Sequence, residues 1–179
     1  MKKIVLFPLF AFICICASAQ RYSDSTWIIG VGHVGKVVIN MNEQKLSSIF
    51  IPDQMKKDKK SEEGAEYSVI KITPAGDSKV GLELETMCMD ICMISRIDVY
   101  SDKYKTVKGI GVGSSAGDLK KNYTISSVVG GEKGIMVYTE ELPQTAFVFT
   151  VPGLKSVPDK EYKSTDIPDD SKIEWVYMY

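Results

Sequence analysis

The chain has 179 residues, with 22 basic and 23 acidic side chains, a net charge of −1, and 44% hydrophobic residues. That balance excludes both a basic nucleic-acid-binding face and an acidic tail. The length supports one good core, or two small half-domains that share one.

In chain order, residues 1–19 come first and read as a cleavable export signal. Lys2 and Lys3 form the positive start, Ile4 to Cys16 the apolar run, and Ala17-Ser18-Ala19 the small-residue cleavage site. Pro8 interrupts the run, which falls short of the ~20 apolar residues that a spanning helix needs. Cys14 and Cys16 do not fit a lipidation site, because Phe12, Ile13 and Ile15 are too bulky for the positions before such a cysteine. Cleavage between Ala19 and Gln20 leaves 20 basic and 23 acidic residues, a net of −3. The expected location is the periplasm or the exterior, with no stable membrane insertion after cleavage.

GVGHVG, residues 30–35, matches the letters of a dinucleotide loop. Such a loop needs a helix after it to hold a pyrophosphate, and the strand-like KVVIN follows instead. His33, inside this loop, is the sole histidine, so a Ser-His-Asp or Cys-His hydrolase would have to use it.

GKVVINMNEQKLSSIF (35–50) and KGIGVGSSAGDLKKNY (108–123) align without gaps at an offset of 73. Val37 meets Ile110, Ile39 meets Val112, Leu46 meets Leu119 and Phe50 meets Tyr123. Each copy reads as a short strand, a polar cap and a short helix, near 42–50 and 114–123. Asn40 or Asn42 caps the first helix, and Ser114 or Ser115 the second. After the first helix come a charged loop, MKKDKKSEEG, and the strands EYSVIKIT, KVGLELET and MISRIDVYS. After the second come YTISSVV, GIMVYT, TAFVFTV and a closing KIEWVYMY, with 152–170 as a long loop before the last. The expected organisation is a first repeat over 20–104 and a second over 105–179. The expected fold class is α+β, an antiparallel sheet with short helices packed on one face.

Cys88 and Cys92 lie in MCMDICM, between two strand patterns, and are expected to form a disulfide across a hairpin turn. The competing reading of this soft, sulfur-rich cluster is Cu(I) binding or thiol redox chemistry through Cys88 and Cys92. One histidine and two cysteines do not make a usual zinc site. In KIEWVYMY, Trp175, Tyr177 and Tyr179 share one strand face and Val176 and Met178 the other, so an aromatic row is a candidate partner-binding surface of the kind favoured in protein and glycan contacts.

The strand, Gly or Asn, polar cap and x-x-[DEQ]-[LV] helix opening of each copy resembles the unit of the BamE (SmpA/OmlA) outer-membrane-assembly lipoproteins. It is also similar to the unit doubled in the beta-lactamase-inhibitor proteins. IGVGSSAGDL fits the pattern better than the first copy, which has Asn40 for the turn glycine and Gln44-Lys45 where an acid is usual. The resemblance implies a non-enzymatic module, without catalytic residue, cofactor or metal, that presents an open sheet face to another envelope or secreted protein. The alternatives are the soft-metal or redox protein and an uncharacterised hydrolase.

Overall fold

The computed structural model describes residues 25–62 and 65–179; the expected export signal, residues 1–19, lies outside the described residues. Three short strands open the chain, β1 (Ile28–Gly30), β2 (His33–Val34) and β3 (Val37–Val38). A 3₁₀ helix over Glu43–Ser48 follows, then β4 (Met55–Glu62), β5 (Ala65–Ile72), β6 (Leu82–Cys88) and β7 (Cys92–Val99). The second half contains β8 (Lys105–Thr106), α1 (Ala116–Asn122), β9 (Ile125–Gly131), β10 (Gly134–Thr139), β11 (Thr145–Phe149) and β12 (Ile173–Met178).

Eight strands form one antiparallel sheet in the order β4-β5-β6-β7-β12-β11-β10-β9. It is two four-strand meanders joined where β7 meets β12. The joining register pairs Val99 with Val176, Asp98 with Tyr177 and Ile97 with Met178. Exchanging the two meanders maps this register onto itself, so an approximate twofold passes between Asp98 and Tyr177. Each meander carries a bulge at the matching place, between Glu85 and Thr86 opposite β7 and between Val148 and Phe149 opposite β12.

The cap segments attach to the sheet in the same way in both halves. Asn40 N donates to Ile94 O (2.8 Å) and Ile94 N to Met41 O (2.9 Å); Gly113 N donates to Ile173 O (2.8 Å) and Ile173 N to Ser114 O (2.9 Å). Asn40 and Gly113 both have positive φ, 65° and 83°, and asparagine tolerates that region better than most residues. The capping residues are Asn42 and Ser115, whose side chains accept from Gln44 N and Asp118 N.

The architecture corrects the expected α+β class with helices packed on the sheet: the fold is mostly β, with 44% strand against 14% helix, and α1 is its one α-helix among the described residues. Two physical causes account for the difference. In the first copy, the Ser47 and Ser48 hydroxyls donate to the carbonyls of Gln44 and Lys45, the chain keeps tight i→i+3 bonds, and Ile51-Pro52 ends it. The segment expected to be a charged loop is the edge strand β4. Its charges are paired across the sheet, Lys60 with Glu83 and Asp58 with Lys71 at 2.6 Å, and lysines on an edge also discourage pairing with other chains.

One core lies against the inner face of the large sheet. Leu84, Ile94, Ile97, Phe147, Val176 and Met178 contribute the sheet side. Ile29, Val34 and Val37 of a second, four-stranded sheet (β3-β2-β1-β8), with Leu46 and Leu119, belong to the same cluster and cover it. Among the described residues the outer face of the large sheet has no such layer. No helix among the described residues is long and apolar enough to cross a membrane.

Candidate functional site on the outer sheet face

The bulges reset which side chains face outward. Beyond them, Ile97 and Val99 point into the core and Arg96, Asp98 and Tyr100 outward. In β12, Val176 and Met178 are fully buried in the core, which leaves Trp175, Tyr177 and Tyr179 on the opposite face. The structure therefore brings the three aromatic residues together on the uncovered side. Tyr179 is 50% exposed and stacks on Tyr177 with ring centroids 6.2 Å apart.

Around them the second meander builds a shallow aromatic groove. Ala146 and Val148 of β11 form its floor, between Trp175 and Tyr177 on one side and Met136 and Tyr138 on the other. Above Ala146 the Tyr138 and Tyr177 hydroxyls lie 3.1 Å apart, and both reach Met136 Sδ, at 3.8 Å and 2.7 Å. Burial, and then the Tyr177 hydroxyl, push the Tyr138 phenol above its usual pKa.

The first meander places charge at the matching positions. Glu83, Glu85, Arg96 and Asp98 face outward beside Lys60 and Lys71, and Arg96 donates to Asp98 Oδ1 at 3.0 Å, with Glu85 at 3.9 Å. Burial works against the Arg96 charge, but Asp98 and Glu85 outweigh it and its pKa stays raised. Burial dominates at Asp98, lifting its carboxyl above the usual value against the pull of Arg96. The Arg96 guanidinium also lies 4.4 Å from the Tyr177 ring centroid, a cation–π contact across the seam between the two meanders.

Two adjoining cavities open at this seam, about 350 Å³ and about 110 Å³ in volume, and Arg96, Lys133 and Trp175 line both. The β9–β10 hairpin, Gly130 to Gly134, and a strap at Pro158-Asp159 close the larger one. The strap runs along the β9 edge, with Gly130 N donating to Lys160 O (2.8 Å), Asp159 N to Gly130 O (3.1 Å) and Tyr162 N to Val128 O (2.9 Å).

The other candidates fall elsewhere. Cys88 and Cys92 are opposed across the β6–β7 hairpin and joined by a disulfide. A Glu43 carboxylate oxygen lies within 4.8 Å of both sulfurs. While bridged, the sulfurs are not thiolates and are poor metal ligands. His33 in β2 packs its ring over Gly30, and its Nδ1 lies 3.2 Å from Val31 O; among the described residues its hydrogen bonds include no Ser, Cys or Asp side chain. GVGHVG runs from the end of β1 through the Val31-Gly32 turn and β2, and leads into β3 rather than a helix. The amides at the start of α1 are already used: Ala116 N donates to Ser171 O, Gly117 N to Asp169 O and Asp118 N to Ser115 Oγ.

Sequence reasoning passed over Arg96, Met136 and Lys133, and did not place Tyr138, one of the late aromatics, in the candidate surface. The alternation Arg96-Ile97-Asp98-Val99-Tyr100 is a usable signal for one outward-facing set, but the bulge at Ser95 breaks its continuity with the residues before it.

No family model and no curated protein matches the chain. Among solved structures, the uncharacterized protein yfeY from Escherichia coli is similar, with a TM-score of 0.56 at 17% identity over 83% of this chain and 95% of that one. At that identity the likeness concerns the fold alone.

Proposed function

We propose that this chain is an exported, non-catalytic binding module that engages another macromolecule of the envelope or exterior through the outer face of its large sheet. The observation that carries the reading is how differently the two meanders treat their two faces. On the inner face, matched positions are apolar in both halves: Ile94 with Ile173, Ile97 with Val176, Val99 with Met178. On the outer face, the positions of Arg96, Asp98 and Tyr100 in one half correspond to Trp175, Tyr177 and Tyr179 in the other. Packing explains the likeness inside. It does not require a charged field beside an aromatic groove outside, and a partly exposed aromatic cluster with an arginine is the composition of recognition surfaces.

Site-specific photocrosslinking in the native envelope tests this. A benzophenone side chain at Tyr179 should give discrete adducts, while one at Val107, 82% exposed and outside the large sheet, should not. Equal crosslinking at both positions, or none at Tyr179, would refute the reading.

A further inference from the structure

We infer that the larger cavity on the outer face binds a neutral saccharide, with one sugar ring laid against Trp175. The inference rests on the outer-face reading and assigns its ligand class.

Shape is the first argument. At about 350 Å³ the cavity is within the size range of small-ligand pockets. Its floor is Val148 and its rim the glycines of the β9–β10 hairpin. A Cβ on Gly131 would stand 3.0 Å from Met136 Cε and Sδ, so a side chain there would crowd the wall that faces the tryptophan.

Chemistry is the second. A pyranose has an apolar C–H face and a rim of hydroxyls, which matches a half-buried indole surrounded by polar groups. The charged side chains on the cavity wall balance, Arg96 and Lys133 against Glu132 and Asp159. Arg96 is already held by Asp98 and Glu85, and Lys133 is engaged as well, so an anionic ligand would have to compete for its cations. Hydroxyls both donate and accept, and a wall of mixed sign suits them without any ion pair being broken.

The sheet edge supplies a third argument. An extended peptide would be expected to add as a strand, but the β9 edge beside the cavity is taken by the strap at Gly130 and Val128. The cavity is left to a ligand that needs no strand pairing.

Saturation-transfer NMR on the mature chain tests this, with glucose, galactose, N-acetylglucosamine, cellobiose and maltose as neutral probes and galacturonate as the acidic one. At least one neutral probe should show transfer to its ring C–H protons, with Kd on the order of a millimolar or tighter. Trp175→Ala should weaken it about tenfold or more, and Glu132→Gln, at an exposed hairpin position, should weaken it severalfold with the fold retained. Trp27→Phe, on the tryptophan that packs against Tyr104, should leave it unchanged. Absence of transfer from every neutral probe, stronger binding of galacturonate than galactose, or affinity that survives Trp175→Ala would each overturn the inference. A specific protein adduct at Tyr179 without saccharide binding would overturn it while leaving the outer-face reading standing. Neither adduct nor binding would remove both.

Discussion

Gly130→Ala is expected to detach the strap from the sheet. A Cβ at this position would lie 1.9 Å from Val157 O, 2.8 Å from its carbonyl carbon and 3.0 Å from its nitrogen. All three are backbone atoms, so no rotamer change relieves the clash and the strap must move. Three hydrogen bonds are then at risk: Gly130 N to Lys160 O, Asp159 N to Gly130 O and Tyr162 N to Val128 O. At about 1 kcal/mol net each, the loss is about 3 kcal/mol. For a chain of this size that lowers Tm by roughly 6–12 °C. Gly153→Ala is the control: its φ is 81° with nothing within 4 Å of the added Cβ, so only backbone strain of about 1–2 kcal/mol should appear. Urea unfolding gives the magnitudes, and amide exchange should speed up at Asp159 and Tyr162 in the first variant only. A Gly130→Ala protein within about 0.5 kcal/mol of wild type would refute the steric argument.

Ser115→Ala removes the cap of α1 and should cost about 1 kcal/mol in urea unfolding. The Ser115 hydroxyl is the main cause of the lowered Asp118 pKa, so an NMR titration should also show that carboxyl moving back up; an unmoved Asp118 would contradict the contact. Burial raises the Tyr104 phenol to about 12. The folded state then holds a proton that the unfolded chain releases above its ordinary value of 10.0, so this contribution is intact below pH 10.0 and is lost as pH rises towards 12. Tyr104→Phe should flatten that alkaline loss in denaturation curves, and an unchanged slope would argue against a buried phenol. Reducing the Cys88–Cys92 bridge, which closes a loop with a sequence separation of 4, should cost only about 2 kcal/mol. Circular dichroism in dithiothreitol should show the sheet retained, and global unfolding would mean that the hairpin depends on its bridge far more than loop entropy allows.

Local pattern made several features legible. The period-two runs mark most strands of both meanders, because an antiparallel strand with one core face must alternate. Short polar side chains just ahead of Leu46 and Leu119 narrow the caps to Asn40 or Asn42 and to Ser114 or Ser115, and the fold selects Asn42 and Ser115. The facing of Cys88 and Cys92 follows from their place between two strands. Helix type in the first copy was not legible, since the competition by Ser47 and Ser48 for carbonyls is settled only once the chain has folded.

Tertiary structure alone decided the rest. β4 is a strand because Asp58 and Lys60 find Lys71 and Glu83 on neighbouring strands, partners that no local window contains. Among the described residues the outer face carries no second layer, because Ile29, Val34 and Val37 of the smaller sheet, with Leu46 and Leu119, join the core on the inner side. Export, expected from residues 1–19, is a property of sequence that lies outside the described residues. The outward facing of Trp175, Tyr177 and Tyr179 was decided by the core, which takes Val176 and Met178 on the other side of the strand. The bulges at Ser95 and Glu174 reset the facing only of what precedes them, and so let Ile94 and Ile173 reach the same core.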